Sequence, residues 1–123
     1  MSIESLAMTL TFFSVRVRLG GSSRANEGYV EALGSNGVWG GICDDEWGIN
    51  DANVVCHMLG YPSATAYFKA QSAFGQGPSG SRFVLDNLHC IGTESSVFDC
   101  QGNSEWSHDC SASEIAGVKC ELM

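Results

Sequence analysis

Asp44, Asp45 and Glu46 stand in an unbroken run directly after Cys43, and Asp51 follows a short step later. Adjacent carboxylates repel one another, and a covalently fixed neighbour limits how far they can separate. A hard cation relieves such crowding, because calcium accepts about six to eight oxygens from carboxylates, carbonyls and water. The competing reading is a solvated acidic turn, with Asp51 complementing the positive end of a helix. The spacing is not that of an EF-hand loop, whose ligands recur at alternate positions before a closing glutamate. Trp39, Trp47 and Trp106 flank the same region, where indoles serve more often as core or lid residues than as interface anchors.

Catalytic chemistry finds little support. No G-x-S-x-G occurs; Gly77-Pro78-Ser79-Gly80 comes nearest and has the wrong spacing. His57, His89 and His108 each lie within two residues of a cysteine, but no H-E-x-x-H is formed. Nothing selects a nucleophile, so the chain is expected not to be an enzyme.

The six cysteines are Cys43, Cys56, Cys90, Cys100, Cys110 and Cys120. No two stand at the close spacing that sets two thiolates on one zinc knuckle. Disulfides are therefore expected, and with them an oxidising compartment. Spacing alone leaves the pairing open. The 123 residues suffice for one domain, and 15 glycines raise the entropy lost on folding, so covalent bracing has a clear use. A net charge of −8 argues against a nucleic-acid partner, since Arg16, Arg18, Arg24, Lys69, Arg82 and Lys119 are the only Lys and Arg side chains.

These residues need elements to position them. Residues 15–19 (VRVRL) and 28–33 (GYVEAL) alternate as strands with one wet face. Asn36-Gly37 then marks a hairpin into a returning strand at residues 38–43. From Asn50 to Gly60 the period changes: Ala52, Val55, Cys56 and Leu59 fall on one helical face. Asn50 is the expected N-cap and Gly60 the terminating residue, with Pro62 beyond. Further strands are expected at residues 66–70, 82–85 and 115–122, with an exposed loop at 71–81 and a short helical turn at 95–100. The fold class is α+β: one small disulfide-rich domain, a curved antiparallel sheet cradling one helix. Residues 1–14 read as a leader or a remnant of processing or expression, since Glu4 replaces the basic start of a signal peptide. The stretch is too short to span a bilayer. Residues 15–123 form the domain.

The motifs taken together resemble the scavenger receptor cysteine-rich family. The likeness runs from Val17 through the EGYVEAL segment to NGVWGGICDDEW at residues 36–47. It continues in DANVVCHMLGY (51–61), LDNLHCIGTESSVFDC (85–100) and DCSASEIAGVKC (109–120). The resemblance implies the six-cysteine type, with bridges Cys43–Cys110, Cys56–Cys120 and Cys90–Cys100. It implies ligand binding rather than catalysis, in a secreted protein or the ectodomain of a membrane protein. The chain would be one module of a larger multidomain protein, facing extracellular proteins or polyanionic and microbial-surface ligands. It also implies weak calcium binding at Asp44, Asp45 and Glu114, with a second site at Asp51, Asp86 and Asn87. Ile115 stands where many relatives carry a further acid. Two functions are carried forward. One is cation-assisted ligand binding; the other is cation-independent docking within a larger secreted enzyme or receptor, with Trp106, Phe74 and the loop at 71–81 as the contact surface. Trp106, Phe74 and Arg82 are the candidate ligand-binding residues.

Overall fold

The computed structural model describes residues 15–69 and 74–123; the leader, and residues 70–73 of the expected strand and loop, lie outside them. Strand β1 (Val17–Gly20) pairs antiparallel with β2 (Glu27–Leu33), setting Val17 opposite Ala32 and Gly20 opposite Tyr29. The close approach at the end of this pair requires glycine. A Cβ on Gly28, whose φ is +154°, would sit 2.2 Å from the Gly20 carbonyl oxygen. A tight turn then leads into β3 (Trp39–Ile42), with Gly37 at φ +82° donating to the Gly34 carbonyl and Asn36 Oδ1 accepting from the Val38 N–H.

The helix α1 (Ile49–Met58) buries Asp51, Ala52, Val54, Val55 and Cys56. The expected face is there, but the cap is different. Gly48 is the N-cap, and its N–H donates to Asp51 Oδ2 at 2.8 Å. Asn50 lies inside the first turn and is exposed, because the Asp51 carboxylate reaches the amide that an Asn50 cap would leave free. Gly60, at φ +91°, ends the helix.

Strand β4 (Ala64–Phe68) pairs with β6 (Gly117–Cys120), which pairs in turn with the first half of β2. Strand β5 (Phe83–Leu85) lies parallel to β3, so the order is β4-β6-β2-β3-β5, with β1 also on β2. The sheet is therefore mixed rather than wholly antiparallel. Chain leaving β3 passes through α1 and β4 before returning, and such a crossover allows the parallel pairing that a hairpin forbids. Ser96 Oγ caps a single 3-10 turn (Val97–Asp99) within the region where a helical turn is expected. A second 3-10 turn (Ala112–Glu114) precedes β6.

Val17, Val30, Ala32, Ile42, Val54, Val55 and Val118 are fully enclosed between the curled sheet and the helix. Three bridges brace this core: Cys43–Cys110, Cys56–Cys120 and Cys90–Cys100. The second ties α1 to β6. In the chain-entropy account, the two wide loops contribute about 4.3 kcal/mol each and the short one about 2.8 kcal/mol.

Candidate metal centre

The acidic cluster is assembled by three chain segments that meet at the Cys43–Cys110 bridge. Cys43 directly follows β3 and forms an isolated antiparallel bridge with Ile115. The following turn is held on both sides: the Asp44 N–H donates to the Glu114 carbonyl at 2.8 Å, and the Trp47 N–H donates to the Asp44 carbonyl at 3.0 Å. Trp47 is buried, and its indole N–H donates to the Gly117 carbonyl, which fixes the far end of the turn. Glu114 closes the second 3-10 turn, its Oε1 accepting from the Ser111 N–H and hydroxyl. β5 delivers Asp86.

Carboxylate oxygens of Asp44, Asp45 and Glu114 lie with Cys43 Sγ in a group whose members are all within 4.8 Å of one another. Asp45 and Asp86 form an equally tight group with the sulfurs of Cys43 and Cys110. Both sulfurs are spent in the bridge, so no thiolate is on offer and the available donors are oxygens. The chemistry of the set is that of a hard cation such as calcium.

Two observations show that the residues fit such an ion. Asp86 is 1% exposed; its Oδ1 accepts from the Asn87 N–H at 2.8 Å, whereas its Oδ2 is buried with no hydrogen-bond partner. An unsatisfied buried carboxylate oxygen is costly, and an ion beside it would remove the cost. Asp45 shows the same crowding electrostatically: its carboxyl is pushed up from 3.8 to about 6. Desolvation is the largest cause, followed by the negative charges of Asp86, Asp109, Glu114 and Asp44.

The residues expected of a second site, Asp51, Asp86 and Asn87, each have partners of their own. Asp51 is buried, with Oδ1 accepting from the Cys90 N–H and Oδ2 from the Gly48 N–H, each at 2.8 Å. Burial raises its pKa, while those backbone bonds work in the opposite direction. Its oxygens cap the helix and fix Cys90. Asp86 joins Asp45 instead. Asn87, at φ +55°, turns its amide toward Asn103 Oδ1 at 3.4 Å.

The three expected contact residues differ in exposure and surroundings. Trp106 is half-buried and lies over β3 and the hairpin: a Cβ on Gly40 would come within 2.7 Å of its ring, and one on Gly34 within 2.8 Å. Phe74 packs edge-on to Phe68, with centroids 5.2 Å apart, and touches the Gly21 and Gly117 backbone. Both rings pack against glycine backbone and stay half-buried, and Arg82 is exposed. Sequence reasoning missed Asp109, which adds to the field at Asp45. Its signal was the position beside Cys110, since acids next to two bridged cysteines must meet. Also missed was the buried Glu31, which pairs with Arg18 at 2.9 Å and accepts from the Ser79 hydroxyl. That contact pins the segment leading into β5.

Fold, bridges and acidic face define a disulfide-braced module that holds its loops on a fixed scaffold. The scavenger receptor cysteine-rich domain family matches residues 19–121, and the chain belongs to it. Macrophage receptor MARCO of Mus musculus is 47% identical over 105 residues, covering 85% of this chain and 18% of that protein. Lysyl oxidase homolog 2 of Mus musculus is 43% identical over 106 residues, covering 86% of this chain and 13% of that protein. The chain thus spans under a fifth of the length of either relative. Among solved structures, the third SRCR domain of murine neurotrypsin superposes with a TM-score of 0.75 at 37% identity, covering 87% of this chain and 96% of that one. The dimeric form of the SRCR domain of mouse MARCO gives 0.69 at 44% identity, covering 78% and 87%. Relatives of this kind are receptors and multidomain proteins, consistent with an extracellular binding module. Among the described residues, no helix is long and apolar enough to cross a membrane.

Proposed function

We propose that the domain is an extracellular ligand-binding module whose acidic face works with calcium. Asp44, Asp45, Glu114 and Asp86 would hold the ion, which supplies an electrophilic contact for an anionic group on a protein, polyanion or microbial surface. Without it, a chain of net charge −8 repels such partners. The observation that carries this reading is the buried, unpartnered Oδ2 of Asp86 beside the carboxyl of Asp45. The chain's own contribution is positional: the Cys43–Cys110 bridge, the Asp44–Glu114 backbone bond and the Trp47 anchor fix the carboxylates before any ligand arrives. Affinity is expected at the weak end for extracellular modules, about 0.1–1 mM.

Calorimetric titration of calcium into the wild type and the Asp44→Ala variant tests this. Saturable heat in the wild type and its loss in the variant support the proposal; two identical, heatless traces overturn it. The alternative of cation-independent docking predicts that partner binding survives EDTA.

A further inference from the structure

On the surface away from the acidic cluster's bridge, the helix start and the Cys90 loop enclose a cleft of about 190 Å³ lined by Glu46, Ile49, Asn50, Asp51 and His89. Two exposed isoleucines stand at or beside its rim. Ile49, 41% exposed, lines the cleft, and Ile91, which at 76% is more exposed than Val38 or Tyr67 elsewhere, follows its lining residue Cys90. Gly92 lies against the Asn50 side chain, so the Ile91–Gly92 backbone runs beside the first turn of α1. Ile91 is presented on a fixed backbone. Glu94 accepts from the Ile91 N–H at 2.8 Å and the Gly92 N–H at 2.9 Å, bonds that lower its pKa. The neighbouring Cys90 is tied both to Cys100 and to Asp51. An apolar side chain held this way loses little entropy when a partner covers it.

The charge of the cleft restricts that partner. No Lys or Arg lines it, and Arg16 and Arg18 are engaged elsewhere, stacked on the Phe98 and Trp39 rings at 3.9 and 4.1 Å. Glu46 is exposed on one wall, where its Oε1 lies 3.1 Å from His89 Nδ1, and the Asp51 carboxylate offsets the positive end of the helix. We infer that this cleft is a docking site for a protein segment that alternates basic and apolar side chains. A leucine-sized group covers Ile49 and Ile91, and a Lys or Arg beside it displaces His89 from Glu46. The site is distinct from the cation cluster and needs no metal.

The test uses the whole oxidised, ¹⁵N-labelled chain in EDTA, titrated with a blocked pentapeptide alternating lysine and leucine. A counterpart alternating glutamate and leucine serves as control. Saturable shifts of the Ile49, His89, Ile91 and Gly92 amides by the lysine peptide alone are expected. Ile91→Ser should weaken binding at least fivefold and Glu46→Gln at least threefold, with the spectrum elsewhere unchanged. Binding of neither peptide, equal binding of both, or shifts centred on residues 44–45 and 114 would each overturn the inference. Because calcium is absent throughout, none of these outcomes bears on the cation proposal.

Discussion

The substitution Asp45→Asn should change sign with calcium. In the metal-free domain Asp45 is held against its neighbours: its carboxyl lies at about 6 instead of 3.8 through desolvation and the charges of Asp86, Asp109, Glu114 and Asp44. At face value that corresponds to about 3 kcal/mol of strain at neutral pH. Asp45 borders solvent, so screening reduces the expected gain on neutralising it to about 1 kcal/mol. For a domain of this size the melting temperature rises about 4 °C per kcal/mol, and the variant should melt about 4 °C higher in EDTA. With calcium the ranking reverses. A dissociation constant of about 1 mM predicts that about 10 mM calcium stabilises the wild type by about 1.4 kcal/mol, or about 6 °C. The variant, lacking a ligand that both oxygen groups share, should gain almost nothing. Differential scanning calorimetry of both proteins, with EDTA and with calcium, reads all four values. A variant less stable than wild type in EDTA, or one that keeps the full calcium gain, would refute the electrostatic reasoning.

The same residue predicts a pH dependence. Its folded pKa is raised, so its contribution to stability is present at low pH and lost as pH rises through about 6. The EDTA stability gap between wild type and Asp45→Asn should therefore narrow on acidification from about pH 7.5 to 5, and close only towards pH 3.8, measured by urea melts. Replacing Cys90 and Cys100 with Ala should cost about 2.8 kcal/mol. The same change at Cys56 and Cys120 should cost about 4.3 kcal/mol plus the loss of buried packing, so thermal melts should place the second variant at least 6 °C lower. Gly40→Ala drives a methyl to 2.7 Å from the Trp106 ring and 3.0 Å from the Val84 amide nitrogen. A loss of about 2 kcal/mol and a red-shifted Trp106 emission are expected, read by fluorescence-monitored unfolding. Asp51→Asn weakens two backbone bonds, one to the helix cap and one to Cys90, and should cost about 1–2 kcal/mol in the same assay without altering calcium affinity.

Much of the fold was legible because it rests on local chemistry. The Asn36-Gly37 turn, the alternation in β2 and the change of period at α1 are short-range signals, and each marks a real element. The parallel β3–β5 pair was not legible, since nothing within either strand encodes the route by which the chain returns. The candidate site divides in the same way. Asp44 and Asp45 declare themselves by adjacency, but Asp86 reaches them only through that parallel register. Asp51 carried two readings for a related reason. An acid in a first helical turn can ligate an ion or cap the helix, and only the backbone amides of Gly48 and Cys90 reveal that both its oxygens are occupied. Trp106 and Phe74 carried two readings, contact surface and core, and the structure leaves both rings half-buried. The glycines at 34, 40 and 117 make the hollows that receive one face of those rings.

Crystals of the oxidised domain grown with calcium, measured at a wavelength where calcium scatters anomalously, test the central claim most directly. An anomalous peak about 2.3–2.6 Å from oxygens of Asp45 and Asp86, with Asp44 or Glu114 completing the shell, is the predicted result. A cluster that shows no peak at millimolar calcium, with Asp86 Oδ2 bonded only to water, would contradict it.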